Sequence, residues 1–180
     1  YKASETGKIE VPLEKVQTTM AINSSIDYFR EKLDQKGIAL YFTPPRNISA
    51  ILADPVTLVS SVLNNIITNA IKFSPTGGSI KIKSYEEDHF VIIQISDSGI
   101  GIPEKIMKNI FNMKKATTRK GTNGELGTGF GMPILKIYMD KYGGEVEIRS
   151  HVKLAETDKS GTTFKLKFKR YMETEMKFII

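Results

Sequence analysis

The stretch that most limits what this chain can become is the segment opened by Asp54-Pro55 and closed by Ser74-Pro75. Aspartate is a strong helix N-cap, and proline is well tolerated in the first helical position, where its missing N–H leaves no bond unmade. The spacing therefore predicts a helix from Pro55 to about Phe73. Val59, Val62, Leu63, Ile66, Ile67 and Ala70 form its apolar arc, whereas Ser61, Asn65, Asn69 and Lys72 recur on the opposite side. One side must pack on a core, and the other carries amides and a lysine. Taken alone, such a polar side is what any surface helix presents to water.

The remaining elements are read around that helix. From Leu13 to about Lys36 the apolar residues Leu13, Val16, Met20, Ile26, Phe29 and Leu33 fall near helical spacing, and Gly37 follows as a C-terminal stop. Ile38 to Phe42 is a short strand ended by Pro44-Pro45, and Ile51-Leu52-Ala53 is another short strand. Two isoleucine- and valine-rich runs, Ser79 to Glu86 and His89 to Asp97, form a hairpin across a tight acidic connection. A short helix from Glu104 to Phe111 leads into residues 112–127, which lack apolar periodicity and carry Lys114, Lys115, Arg119 and Lys120. A loop of that length is usually functional or disordered. A helix from Met132 to about Tyr142 ends at Gly143-Gly144, and Glu145 to His151 then pairs with Thr162 to Lys169 as a last hairpin.

Hairpins separated by helices predict a two-layer α/β sandwich, with a mixed sheet of about five strands and three principal helices, and not a doubly wound parallel sheet. The domain is expected over residues 13–170. Residues 1–12 read as a linker or the end of a preceding element, and 171–180 as a short tail. The chain opens on Tyr1 without an initiating methionine, so the expectation is a piece of a longer protein.

Composition mainly excludes. With no cysteine there is no disulfide framework and no thiolate chemistry. The net charge of +6 is spread along strands and loops, without the basic stripe of a nucleic-acid binder, and suits a phosphate-bearing ligand or an acidic partner equally well. No apolar run approaches the roughly 18 residues of a membrane span.

Three polar clusters remain to be explained. Asn69 offers a carboxamide oxygen suited to Mg2+, and Lys72, a turn further on, a point charge for phosphate. Asp97 ends an apolar strand and is followed by Gly99 and Gly101; a carboxylate there can accept from the exocyclic amine of a base such as adenine, and the glycines would let backbone approach a flat ring. A plain Asp-Ser-Gly turn fits the same residues. Gly127, Gly129 and Gly131 before a helix present backbone N–H groups able to hold phosphate, although ordinary loop flexibility would also use them. Neither a G-x-x-x-x-G-K-[ST] run nor a dinucleotide fingerprint occurs, and the V-A-I-K, H-R-D and D-F-G signatures are missing.

In this order, the Asn-rich helix, Asp-x-Gly-x-Gly, a phenylalanine in a short helix, a long basic loop and Gly-x-Gly-x-Gly together resemble the catalytic and ATP-binding domain of sensor histidine kinases. That domain belongs to the GHKL superfamily, with gyrase, the heat-shock chaperone and the mismatch-repair ATPase. The resemblance covers about Leu13 to Lys169 and implies a Bergerat-type ATP-binding fold. It places Asn69 on Mg2+, Asn65 nearby, Lys72 toward phosphate and the ring of Phe73 at the base. Asp97 would read adenine, within a first glycine box from Asp97 to Gly101 that holds Gly99 and Gly101, and Ile102 after it would also touch the nucleotide. Ile110-Phe111 is similar to the F box, 112–126 to the lid over ATP, and Gly127, Thr128, Gly129, Phe130 and Gly131, leading to Met132, to the second glycine box. Gly161-Thr162-Thr163-Phe164 is similar to the last-strand motif, with a threonine close to adenine. The family usually has leucines where Phe130 and Met132 stand, a small residue at Pro133 and often an aromatic at Lys114.

The resemblance also bears on chemistry. Hydrolases of the superfamily keep a glutamate four residues before the metal-binding asparagine; here Asn65 stands there, and an amide is no base at neutral pH. Phosphoryl transfer is thus favoured over hydrolysis, with Asn65 and Lys72 as the catalytic pair. A superfamily ATPase or serine kinase, and a nucleotide-binding module without catalysis, are the alternatives. The acceptor histidine would lie on a dimerisation helix outside this chain, since His89 and His151 lack the phosphoacceptor's helical setting. The expected partners are those upstream dimerisation and phosphotransfer helices and a response regulator receiver domain. The piece would be monomeric and cytoplasmic, and the full protein a homodimer, with or without a membrane anchor.

Overall fold

The computed structural model describes residues 11–115, 117–152 and 159–173. The expected hairpins form the body of one mixed sheet: β4 (Ser79–Glu87) pairs antiparallel with β5 (Phe90–Asp97), and β6 (Glu145–His151) with β7 (Gly161–Lys169). β5 and β7 join them antiparallel, and β2 (Ala39–Phe42) adds to β4 in parallel, giving the order β2-β4-β5-β7-β6. Period-two alternation explains why this sheet has a dry side. Ile80 and Ile82 of β4, Val91, Ile93 and Ile95 of β5, and Phe164, Leu166 and Phe168 of β7 are all buried against the helices. The charged residues Lys165 and Lys167 point the other way and pair with Glu87 and with Glu145 and Glu147.

The first expected helix is shorter than its pattern. Residues Glu14–Val16 are a strand, β1, paired antiparallel with β3 (Ile51–Ala53) in a separate two-stranded sheet, and α1 runs over Thr18–Gln35. Pairing with a distant segment overrides helical spacing at Leu13 and Val16. The inward face is also rotated: Thr18, Ala21, Ile22, Ser25, Phe29 and Leu33 are buried, while Met20 is 68% exposed. The end of α1 follows expectation. Gly37 has φ +63, its N–H bonds Asp34 O at 3.0 Å, and Ile38 N bonds Leu33 O at 2.9 Å.

The central helix begins at the expected cap, where Asp54 Oδ1 accepts from Thr57 N at 2.7 Å and from its hydroxyl at 2.6 Å. It has three segments, α2 (Pro55–Thr57), a π-helical stretch over Leu58–Leu63, and α3 (Asn64–Phe73). The wide turn, with Asn64 N bonded to Val59 O, rotates the arc so that Leu58 and Ile71 are buried and Val59 is only half-buried. α4 covers only Glu104–Met107 and buries none of its own residues; 108–111 continue as turns, with Asn109 N bonded to Ile106 O and Ile110 N to Met107 O. α5 (Gly131–Lys141) carries Pro133 harmlessly in its first turn and packs Leu135 and Met139 into the core. Among the described residues no helix is long and apolar enough to cross a membrane.

Candidate functional site

The polar side of α3 is not open surface. It forms one wall of a cavity of about 180 Å³, and Lys72 there is only 9% exposed. Asn65, Asn69, Lys72 and Phe73 line this wall, joined by Thr68. Helical spacing of Asn65, Asn69 and Lys72 is what delivers them to one surface. Opposite stand Asp97 from the end of β5, Thr162 and Phe164 from β7, and the start of α5 through Gly131 and Met132. Ile102, Ile106 and Ile110 supply apolar wall, and the loop ahead of α5 closes the cavity with residues 117–119 and 126–129.

Each polar group has a defined restraint. Asn65 Nδ2 donates to Ser61 O at 2.6 Å, which turns its carboxamide oxygen toward Gly131; a Cβ at Gly131 would stand 2.8 Å from that oxygen. Burial pushes the Lys72 ammonium below its ordinary range, partly opposed by the Glu125 carboxylate and reinforced by Arg119. A Cβ at Gly127 would come 2.8 Å from Lys72 Nζ, so glycine lets the loop backbone lie against this cation. Asp97 Oδ1 accepts from Gly99 N at 2.8 Å and Thr162 N at 3.1 Å. Burial nevertheless pushes its carboxyl up to about 6, outweighing those two N–H groups and the nearby Arg119 guanidinium.

The predicted residues divide. Asn65, Asn69, Lys72, Phe73, Asp97, Ile102, Gly127, Thr128, Gly129, Gly131, Met132 and Thr162 converge on the cavity. Five others stand outside its lining. Thr163 lies on the opposite face of the sheet, where its hydroxyl donates to Ser96 Oγ at 2.9 Å, because neighbours in a strand point to opposite sides. Phe130 is exposed at the start of α5, and Phe111 is half-buried against the core, with Ile110 taking the lining position. Gly99 and Gly101 are required by chain packing: a Cβ at Gly99 would lie 2.7 Å from the Phe73 carbonyl oxygen, and one at Gly101, where φ is +71, would overlap the His151 carbonyl.

One residue was not singled out by its spacing. Arg119 reaches from the loop so that its guanidinium carbon lies 4.3 Å from the centre of the Phe73 ring, and its Nη2 donates to Gly101 O at 2.8 Å. It thus stands between Phe73, the first glycine box and Asp97. In the sequence it is one of four cations in a loop without periodicity, and nothing there distinguishes it from its neighbours.

Fold and cavity together define a two-layer α/β domain with a helix-walled, glycine-rimmed pocket at one end of its sheet. Residues 54–172 match the family described as histidine kinase-, DNA gyrase B-, and HSP90-like ATPase, and the chain belongs to that family. It is 32% identical over 140 residues to the sensor protein KdpD of Clostridium acetobutylicum, covering 78% of this chain and 15% of that protein. It is also 32% identical over 169 residues to the sensor histidine kinase WalK of Bacillus subtilis, covering 90% of this chain and 26% of that one. The chain therefore spans about a quarter or less of these relatives. Its fold matches the catalytic domain of the histidine kinase ThkA, with a TM-score of 0.71 at 24% identity over 88% of this chain and 95% of that one. Full-length ShkA in complex with AMPPNP gives 0.72 at 22% identity, over 91% and 32%. ThkA in complex with the response regulator protein TrrA gives 0.64 at 22%, over 88% and 42%.

Proposed function

We propose that this domain binds Mg-ATP in the cavity beneath residues 117–129 and passes the γ-phosphoryl group to a histidine imidazole on a helical dimerisation domain of the same protein. The observation that carries this reading is the amide wall: Asn65, Asn69 and Lys72 meet Asp97 across one cavity, with an amide where a hydrolase would need a carboxylate. Asp97, held by two N–H groups, keeps its second oxygen for the exocyclic amine of the base. Lys72 and the backbone N–H groups from Gly127 to Gly131, at the start of α5, would hold the phosphates. Asn65, an uncharged amide, would orient by hydrogen bonding without taking a proton.

Among the described residues no group of three or more His, Cys, Asp or Glu side chains could hold a metal ion. An ion here would have one amide oxygen, from Asn69, with waters and phosphate oxygens completing its shell, and that donor set fits Mg2+. The ion would supply charge neutralisation to the phosphates. The cavity, at about 180 Å³, is smaller than the roughly 300–1,000 Å³ typical of ligand pockets, so nucleotide entry requires the Arg119 loop to lift.

The ThkA complex with a response regulator supports a receiver domain as the downstream partner. The same reading takes the full protein as a homodimer with this domain on the cytoplasmic side. The test joins this chain to its own upstream helical domain and adds Mg-ATP. Acid-labile phosphohistidine on the helical domain is the expected product. Retained ATP binding without transfer would replace the kinase reading with that of a nucleotide-binding interaction module.

A further inference from the structure

Lys36, at the C-terminal end of α1, lies outside the cavity and is 7% exposed, an unusual burial for an ammonium. All three of its donors are used. Nζ bonds Ile71 O at 2.8 Å, Lys72 O at 3.2 Å and Glu125 Oε1 at 2.7 Å. The first two acceptors are among the last carbonyls of α3, which have no partner within their own helix and favour a cation. The third belongs to the loop that closes the cavity.

The loop is built to meet it. Between Gly121 and Glu125 the chain folds back on itself: Gly121 N donates to Glu125 O at 2.9 Å, Gly124 N to Gly121 O at 3.1 Å, and Asn123 N to Glu125 Oε2 at 2.8 Å. Thr122 then docks the turn on the end of α3. Its N–H reaches Lys72 O at 3.0 Å, and its hydroxyl lies 2.7 Å from Ser74 O and 3.2 Å from Lys72 O. Gly121 is pressed so closely that a Cβ would stand 2.6 Å from Lys72 Cγ and 2.8 Å from Lys72 O. Residues 121–125 are thus anchored, and Arg119 sits just ahead of the anchor.

We propose that Lys36 is a positioning residue of the nucleotide site, tying the closing loop through Glu125 to the helix end that carries Lys72 and Phe73. The proposal rests on reading the cavity as a nucleotide site. The anchor fixes the pivot about which the Arg119 segment lifts, and it holds the backbone of Lys72 while the Lys72 ammonium meets phosphate. Glu125 is partly exposed, so the cation is the buried partner and the carboxylate can be altered without opening the core.

The test compares the 180-residue chain with Glu125→Gln, Lys36→Met and the double variant, using calorimetry with Mg-ATP, thermal melting, and amide exchange at Thr122 and Asn123. Glu125→Gln is expected to melt slightly below the parent, since the contact already exists in the free chain, and to bind Mg-ATP several-fold more weakly, up to the roughly tenfold that one charge-assisted hydrogen bond could supply. Exchange at both amides should quicken in either single variant, and the double variant should bind no more weakly than Lys36→Met. A lower melting temperature for Lys36→Met, with unchanged affinity in both single variants, would overturn the role and leave Lys36 a helix cap. Failure of the unsubstituted chain to bind Mg-ATP would instead sink the nucleotide reading, and this role with it.

Discussion

At Asp97 folding opposes the base recognition proposed for it. Its ordinary value is 3.8, and burial raises it in the fold to about 6. Between those values the folded chain binds more protons than the unfolded one, so stability rises as pH falls from 6 toward 3.8. Above 6 the buried charge costs stability in full, on the order of 3 kcal/mol. Asp97→Asn keeps an oxygen for the Gly99 and Thr162 N–H groups and removes the charge. The variant should melt higher than the parent at pH 8, with the gain shrinking steadily below pH 6. It should also lose about 1.5–3 kcal/mol of ATP affinity, the value of a hydrogen bond to a charged group. Unchanged affinity by calorimetry would remove Asp97 from the base pocket. Asp97 was legible because a carboxylate ending an apolar strand before two glycines is chemically conspicuous. Arg119 and Lys36 were not, since their roles come from contacts across 46 and 35 positions of sequence, to Phe73 and to Ile71.

Among the elements, the glycine-rich turns show how one position can have two explanations. The loop after β5 needs Gly101 because the backbone there takes φ +71 and passes against the end of β6, where a Cβ would overlap the His151 carbonyl. A flat ligand is not required to account for it. Gly101→Ala is therefore expected to destabilise the free chain by more than about 2 kcal/mol, combining left-handed strain with a backbone clash. Chemical denaturation without nucleotide checks this; a parent-like midpoint would show that the loop re-routes and that glycine serves only ligand approach. The same distinction runs through the helices. The Asp54 cap and the Gly37 stop followed from local chemistry, each fixed by neighbours within a few residues, and the two hairpins from alternating strand patterns that follow one another in sequence. The π-helical turn over Leu58–Leu63 and strand β1 did not, because the first answers to packing against α1 and α5 and the second to pairing with β3.

Across the whole molecule the cavity is assembled from α3, the end of β5, the segment around α4, β7, the start of α5 and the loop before it, so no single segment holds the site in isolation. A ligand that needs all of them binds the folded chain alone, and its affinity appears as global stability. At a hundredfold excess over its dissociation constant such a ligand adds about 2.7 kcal/mol. For a domain of this size that corresponds to a rise in melting temperature of roughly 5–10 °C. Two contributions to the rise can be separated by the metal. On the proposed reading Asp97 and Lys72 would contact ATP without it, whereas the metal's part would depend on the amide oxygen of Asn69. In the parent, Mg2+ should raise the ATP-dependent shift beyond that seen with ATP and chelator. In Asn69→Ala the shift with ATP should persist and the increment from Mg2+ should vanish, because the half-buried Asn69 can lose its amide without cutting into the core. Melting curves with ATP and either Mg2+ or chelator, at fixed ionic strength, decide the matter. An undiminished Mg2+ increment in that variant would mean that another group on the cavity wall holds the ion, and Asn65, one turn earlier on the same face, would be the residue to substitute next.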